Sequence, residues 1–520
     1  MGTIAHRREG AEASATFGSG PRVAPSRPGA ALIDLPALPR RPLVVAATSV
    51  ALLAAPAVAS AAWGEPQELD TSVGVAGLAV DGAGSRLVNG RVSGSGNAIN
   101  TRFLAVAADG SPGGRRNLRG ALPDPVRYGD SRAVFGRMNR LGAVTRRVPD
   151  GKGGTRSVKL TKYRIGVSTG TTDPDQLAIG ALRSVGAAVL DEPVRLAGTA
   201  KGDVVLAWSA VGSDGTVSVY AAWHRARAKD RTIRLGKPRR ISGTPSSRLL
   251  ALATGPGGRT VLVFERGATE KTRRLYVRPL DVRSGKLGRL QVLRRGGPGF
   301  TDASAAVGNK GRAVIAWGEQ DDASARKEPY VVRSATRDDE DERFKTRIID
   351  RGGALVRAPN GTIVTSVDNR RRPLVAWSQT VGSVADGTAH DIPRVAEGGP
   401  TGRLGDARDI AAAGRVHGAS TAKGTTGVIL VRELERPAGG SNSDRGVAVQ
   451  AAFRAPDGAL GEPETLDQLD DAQLLERRST FGSAAIAALP DGRFTAAWVR
   501  ATVVSGKLRQ ATLFADRTKP

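Results

Sequence analysis

Phe481–Arg500 reads FGSAAIAALPDGRFTAAWVR. Small and apolar residues from Ser483 to Leu489 run into Pro490-Asp491-Gly492, and a second apolar run, Phe494 to Val499, follows at once. Two such runs joined by Asp-Gly predict a β-hairpin, because glycine takes the positive φ that the turn needs. Alanine alone would allow a helix, but the aromatic and β-branched residues and the tight turn favour strands.

Outward from this hairpin its second strand has relatives: Val204-Val-Leu-Ala-Trp208, Val261-Leu-Val-Phe264, Ala313-Val-Ile-Ala-Trp317, Leu374-Val-Ala-Trp377 and Val428-Ile-Leu-Val431. A turn stands before each: Lys201-Gly202, Gly257-Gly258, Lys310-Gly311, Asp368-Asn369 and Lys423-Gly424. Weaker copies occur at Leu87-Val88 and at Ala133-Val-Phe135. The ends of these runs, from 88 to 498, are spaced by 47, 73, 56, 53, 60, 54 and 67 residues, a period that marks a repeat fold.

Each unit continues alike. A polar loop leads to a third strand, as in Val219 to Trp223, Leu275 to Val277, Tyr330 to Val332 and Val447 to Phe453. A closing element follows: Leu235-Gly-Lys-Pro238, Leu287-Gly-Arg289, Leu404-Gly-Asp406 and Leu460-Gly-Glu-Pro463. The sequence therefore predicts an all-β fold, a β-propeller of seven or eight four-stranded antiparallel blades. Second strands apolar on both faces fit blades sandwiched between two others, with the terminal Trp or Phe filling the gap between them. The count is open because of Thr161–Asp191. There Asp173-Pro174-Asp175-Gln176 resembles a capped helix start, while Gly180 weakens a helix and a strand fits as well.

The last unit ends at its third strand, Ala511 to Ala515, without a closing element. Near the N-terminus, Trp63-Gly-Glu-Pro-Gln-Glu-Leu69 matches Leu460-Gly-Glu-Pro-Glu-Thr-Leu466. The first residues should thus supply the missing fourth strand, closing the ring and removing its open edges. The final residues, Arg517 to Pro520, have no counterpart in the repeat and read as dispensable.

Composition agrees with many short strands and turns: the chain has 520 residues, 66 of them glycine, and only 4% aromatics. With no cysteine, it has neither disulfides nor thiol chemistry. Residues 42 to 58, PLVVAATSVALLAAPAV, follow Arg40-Arg41 and lead into Ala59-Ser60-Ala61. A basic region, an apolar run and a small-x-small site predict a secretory signal over 40–61. The two arginines leave Sec and twin-arginine export both open. Residues 1–39 then read as a disordered leader or a mis-assigned start, and 62–520 as one propeller domain. Cleavage removes six basic and three acidic residues, leaving 71 against 47, a net charge of +24. That charge points to an anionic cell-surface polymer or an acidic protein as partner. Export argues against nucleic acid, no membrane span is expected after cleavage, and a monomer secreted or attached to the cell wall is expected.

The segments GRAVIAW (311–317), GDVVLAW (202–208) and LGEPETL (460–466) resemble the repeats of secreted bacterial β-propellers of unassigned function, some loosely grouped with sialidase-like propellers. The resemblance covers roughly 63–516 and implies architecture. Sialidases carry Ser-x-Asp-x-Gly-x-Thr-Trp turns; the nearest segment here, Gly212-Ser-Asp-Gly-Thr216, has neither that spacing nor the Trp.

No nucleophile elbow, zinc helix or phosphate-binding glycine loop is present. Of four histidines, His224 and His417 lie beside predicted strands, without a partner at metal-ligand spacing. The loops between second and third strands are the least uniform part of the repeat, and they carry Asp214, Glu319, Asp321, Asp322, Asp386, His390, Asp391, Glu433 and Glu435. Gathered on one face, these form the candidate binding set, whose clustered carboxylates could bind Ca²⁺ through oxygen ligands. Acidic loops also simply solvate a basic protein. Two functions compete: a non-catalytic binding or scaffold module, and a glycan-directed hydrolase with paired carboxylates at the ring mouth.

Overall fold

Each Gly-containing punctuation in the repeat becomes the turn between the first two strands of a blade. Gly492 takes φ 103° and Gly202 φ 93°, values that side chains disfavour. The amide of Gly492 reaches the Leu489 carbonyl at 3.0 Å, and Gly202 reaches Thr199 at 2.9 Å. The computed structural model describes residues 63–518, except short stretches of which the longest are 93–99, 321–330, 352–362, 382–389, 434–445 and 470–478. The expected leader and export signal lie outside the described residues.

The strands form eight antiparallel sheets in sequence order: blades 1 to 8 span 73–119, 126–189, 195–240, 247–295, 299–351, 364–409, 415–469 and 480–516. Seven blades are contiguous in sequence. The eighth takes Gln67–Asp70 as its fourth strand, paired with Lys507–Asp516 through Gln67↔Phe514, Glu68↔Leu513 and Asp70↔Thr512. Closure by the N-terminal strand therefore holds. First strands pack against one another around the ring axis, that of blade 8 against that of blade 1 included.

The packing explains the double-faced apolar strands. Side chains alternate across a strand, so a second strand feeds two seams at once. Val204, Leu206 and Trp208 join the core shared with blade 2, while Val205 and Ala207 join the core shared with blade 4. Eight such apolar clusters occupy the eight seams, the last joining Phe514 and Ala497 of blade 8 to Val88 and Leu104 of blade 1. Trp317, Trp377 and Trp498 are fully enclosed there.

The Leu-Gly element is the bend into the fourth strand. The amides of Gly64, Gly236, Gly288, Gly405 and Gly461 each reach a third-strand carbonyl, at 2.8–3.0 Å. Gly64 makes this bond to Asp516 and Trp63 bridges Arg517, as Leu460 bridges Arg454 in blade 7.

Of the two readings of Thr161–Asp191 the strand holds, and the reading of Arg517 is corrected. The helix start at Asp173–Gln176 is a turn in which an Asp173 carboxylate oxygen accepts the Asp175 amide at 3.0 Å. Beyond it Arg183–Val189 pairs with Thr155–Thr171 and supplies the fourth strand of blade 2, so the stretch completes a blade and the ring has eight. Arg517 is tied into the ring: it is buried, lies 3.8 Å over the Phe453 ring and binds Glu464 at 2.7 Å.

Arginine richness is largely architectural. Arg86, Arg127, Arg312, Arg372 and Arg454 are buried. Arg86 pairs with Asp516 and Arg127 with Asp81, each across a seam. Arg372 reaches the carbonyls of Gly424 and Ala455 at 3.0 and 3.1 Å, and Arg454 returns to those of Pro373 and Arg372. A guanidinium with five fixed donors can bind several carbonyls at once, which suits it to joining backbone across a seam. Burial lowers the pKa of Arg86, Arg127 and Arg454.

Candidate functional site

The expected acidic set does not assemble into a site. Asp321, Asp322 and Asp386 lie outside the described residues, as does Glu435. Glu319, on the second strand of blade 5, is buried; it accepts Trp317 Nε1 at 3.0 Å and pairs with Arg294 at 3.0 Å and Arg333 at 2.9 Å. It ties blade 4 to blade 5. Asp467 does the same between blades 7 and 8, accepting Trp498 Nε1 at 2.8 Å and pairing with Arg500. Asp391 takes the Thr380 hydroxyl and Arg415, tying blade 6 to blade 7. His390 is exposed beside it at the start of the same strand, and Glu433 ends the second strand of blade 7. No cluster of three His, Asp or Glu able to hold a metal ion occurs among the described residues. His417 sits at a bulge in the first strand of blade 7, where burial and then Arg415 lower its pKa to about 4.

Asp214 falls in a cleft. It stands in the hairpin turn of blade 3, where one carboxylate oxygen accepts the Thr216 amide at 3.0 Å and its hydroxyl at 2.8 Å. These bonds hold its carboxyl below the usual range, so it stays ionised. Asp109 makes the same pair of bonds to Ser111, so this half of Asp214 is turn chemistry.

The cleft itself arises from blade 2. Its middle strands, Arg132–Pro149 and Thr155–Thr171, are about twice the length of most other strands in the ring. They pair from Arg132↔Thr171 to Pro149↔Thr155, while the neighbouring strand ends at Val189↔Lys162. Beyond Gly142↔Lys162 the hairpin is a two-stranded ribbon, which at 3.4 Å per residue projects roughly 24 Å. Residues paired across a ribbon share a face. Arg146 with Val158, Val144 with Leu160, and Lys162 thus form one face, and Thr145 with Lys159 form part of the other.

Arg146 and Lys162 line a cleft of about 730 Å³ between blades 2 and 3, opposite Trp208, Asp214, Ser218, Tyr220 and Arg240 of blade 3. Arg240 donates to the Ser218 hydroxyl at 2.7 Å, and Tyr220 stacks on Trp208 with centroids 6.1 Å apart. The Nε of Arg146 is buried without a hydrogen-bond partner. Three cations face one carboxylate here.

Sequence reasoning missed Arg146, Lys162 and Arg240. A signal existed: 132–171 holds ten Lys or Arg and one Asp. Spread along two strands, these cations never form an unbroken run, so scanning for charge blocks passes over them.

No protein-family model and no curated protein sequence matches the chain. Among solved structures it is similar to the polysaccharide lyase Uly1, at 10% identity over 76% of this chain and 89% of that one, with a TM-score of 0.40. The NanB sialidase from Streptococcus pneumoniae matches at 10% identity over 88% and 93%, TM-score 0.35. The β-propeller domain of the Trilobed protease from Pyrococcus furiosus matches at 10% over 86% and 100%, TM-score 0.35. The neighbours are sialidase-like and other β-propeller proteins.

Proposed function

We propose that this chain is an exported, non-catalytic binding propeller that holds an anionic cell-surface polymer along the hairpin of blade 2. One observation carries the reading. Many arginines of the ring are held in seams, whereas Arg132, Arg140, Arg156, Lys159 and Arg164 are exposed on the hairpin. None of them forms an ion pair with a described carboxylate. A projecting ribbon with exposed cations on both faces raises the local concentration of an extended polyanion. The apolar run at 42–58 supports export, and no described helix is long and apolar enough to cross a membrane.

The test is retention of the full chain on an immobilised sulfated polysaccharide, eluted with salt. Surface charges are screened over about 8–10 Å at physiological ionic strength, so elution should track the ribbon's charge. Replacing Arg156, Lys159 and Arg164 together by serine should lower the eluting salt while leaving the melting temperature unchanged. A parent chain that flows through, or a triple variant that elutes with the parent, refutes the reading.

A further inference from the structure

The cleft asks more of a ligand than negative charge. Its cations, Arg146, Lys162 and Arg240, call for an anion, and the buried, unpartnered Nε of Arg146 is a donor still lacking an acceptor. Leaving such a donor dry costs free energy that a bound acceptor recovers. Asp214 imposes the opposite demand. Its bonds to Thr216 use Oδ1, and an ionised carboxylate can only accept, so the exposed Oδ2 is open to a donor from the ligand. A sulfate or phosphate chain satisfies the cations but is repelled by Asp214. A neutral sugar satisfies Asp214 but leaves the cations unmatched. The stacked pair of Tyr220 and Trp208 adds an apolar wall between the two demands.

We infer that the cleft between blades 2 and 3 is a subsite for an acidic glycan: the sugar's anionic group is held by Arg146 and Lys162, and its hydroxyls donate to Asp214. This rests on the proposed polyanion binding and gives that polymer its chemical class. The ribbon gathers the chain by charge, and the cleft reads one or a few of its units. A pyranose ring carries hydroxyl donors and an anion on one rigid frame, with C–H faces suited to an aromatic wall. An acidic peptide offers anions and amide donors but no rigid frame joining them, and it is the alternative that the test decides.

The experiment is calorimetry on the full chain with three probes: tetragalacturonate, the neutral galactose tetramer and tetraglutamate. Asp214→Asn keeps the Oδ1 acceptor for Thr216, and so keeps the turn, but replaces the free acceptor with a donor. Tetragalacturonate should bind, and Asp214→Asn and Arg146→Met should each weaken it about tenfold or more, the scale of one hydrogen bond to a charged group. Retention on the sulfated column should persist in Asp214→Asn, which removes a negative charge. Equal binding of the neutral tetramer, an Asp214→Asn variant that binds as the parent does, or Asp214-dependent binding of tetraglutamate would overturn the inference. A chain retained on the column that binds no tetragalacturonate overturns the inference and leaves the polyanion reading standing. A chain not retained at all overturns that reading.

Discussion

Deleting residues 63–69 opens the ring at one defined edge. Three contributions are lost. Trp63 packs against the core shared by blades 7 and 8, its ring 6.1 Å from Phe453, and Leu69 packs against the core shared by blades 8 and 1. Full burial of such side chains stabilises by about 1.5–3 kcal/mol each, and both are half-buried, so together they contribute about 2–3 kcal/mol. The ladder from Gln67 to Asp70 and the Gly64–Asp516 bond add a few hydrogen bonds at about 1 kcal/mol apiece. Asp70 itself remains but is pulled from its register, loosening the buried carboxylate that Arg102 meets at 3.0 Å. The loss is about 5–7 kcal/mol, and a cooperative unit of this length shifts by about 1 °C per kcal/mol. Differential scanning calorimetry should therefore show a melting temperature lower by about 5–7 °C. Light scattering should show aggregation, since Lys507–Asp516 becomes an unpaired edge strand. A deletion variant that melts within a degree of the parent and stays monomeric would refute closure by this strand.

Arg517→Ala should cost about 2 kcal/mol in chemical denaturation, through loss of a charge-assisted bond to Glu464 and the contact with Phe453. Glu319→Gln should destabilise by about 2–3 kcal/mol, less than for a fully enclosed pair because Arg294 and Arg333 reach solvent. That variant should leave polyanion retention unchanged, as a carboxylate that ties two blades together would, and a loss of retention would return Glu319 to the binding surface. His417 has a folded pKa of about 4 against 6.5 unfolded, so below pH 6.5 protons favour the unfolded chain. Stability from this group is complete above pH 6.5 and falls by no more than about 3 kcal/mol as pH drops to 4; His417→Gln should flatten that slope in denaturant titrations at pH 7, 5.5 and 4. N-terminal sequencing of exported protein should begin near Ala62, and material retaining residues 1–40 would refute the assigned signal.

The architecture was legible because a propeller writes itself into local pattern. A strand that feeds two seams must be apolar at every position, which makes Val204 to Trp208 and Ala313 to Trp317 visible as runs. Turns at positive φ favour glycine, and an N-terminal strand that completes the last blade repeats the Gly-Glu-Pro bend. Blade 2 was obscured because its strands are long and basic, so neither run length nor turn spacing matched the other units. The functional reading was harder for a different reason. Charge in a sequence carries no partner: Glu319, Asp391 and the buried arginines look like surface groups until the seams bring their counter-ions from the next blade, some tens of residues away. Likewise Arg146 and Lys162 become neighbours of Asp214 only because the ribbon of blade 2 rises beside the hairpin of blade 3. Backbone preference and burial act along the chain and can be read from it, whereas electrostatic pairing acts through space and was decided by which blades the ring sets side by side.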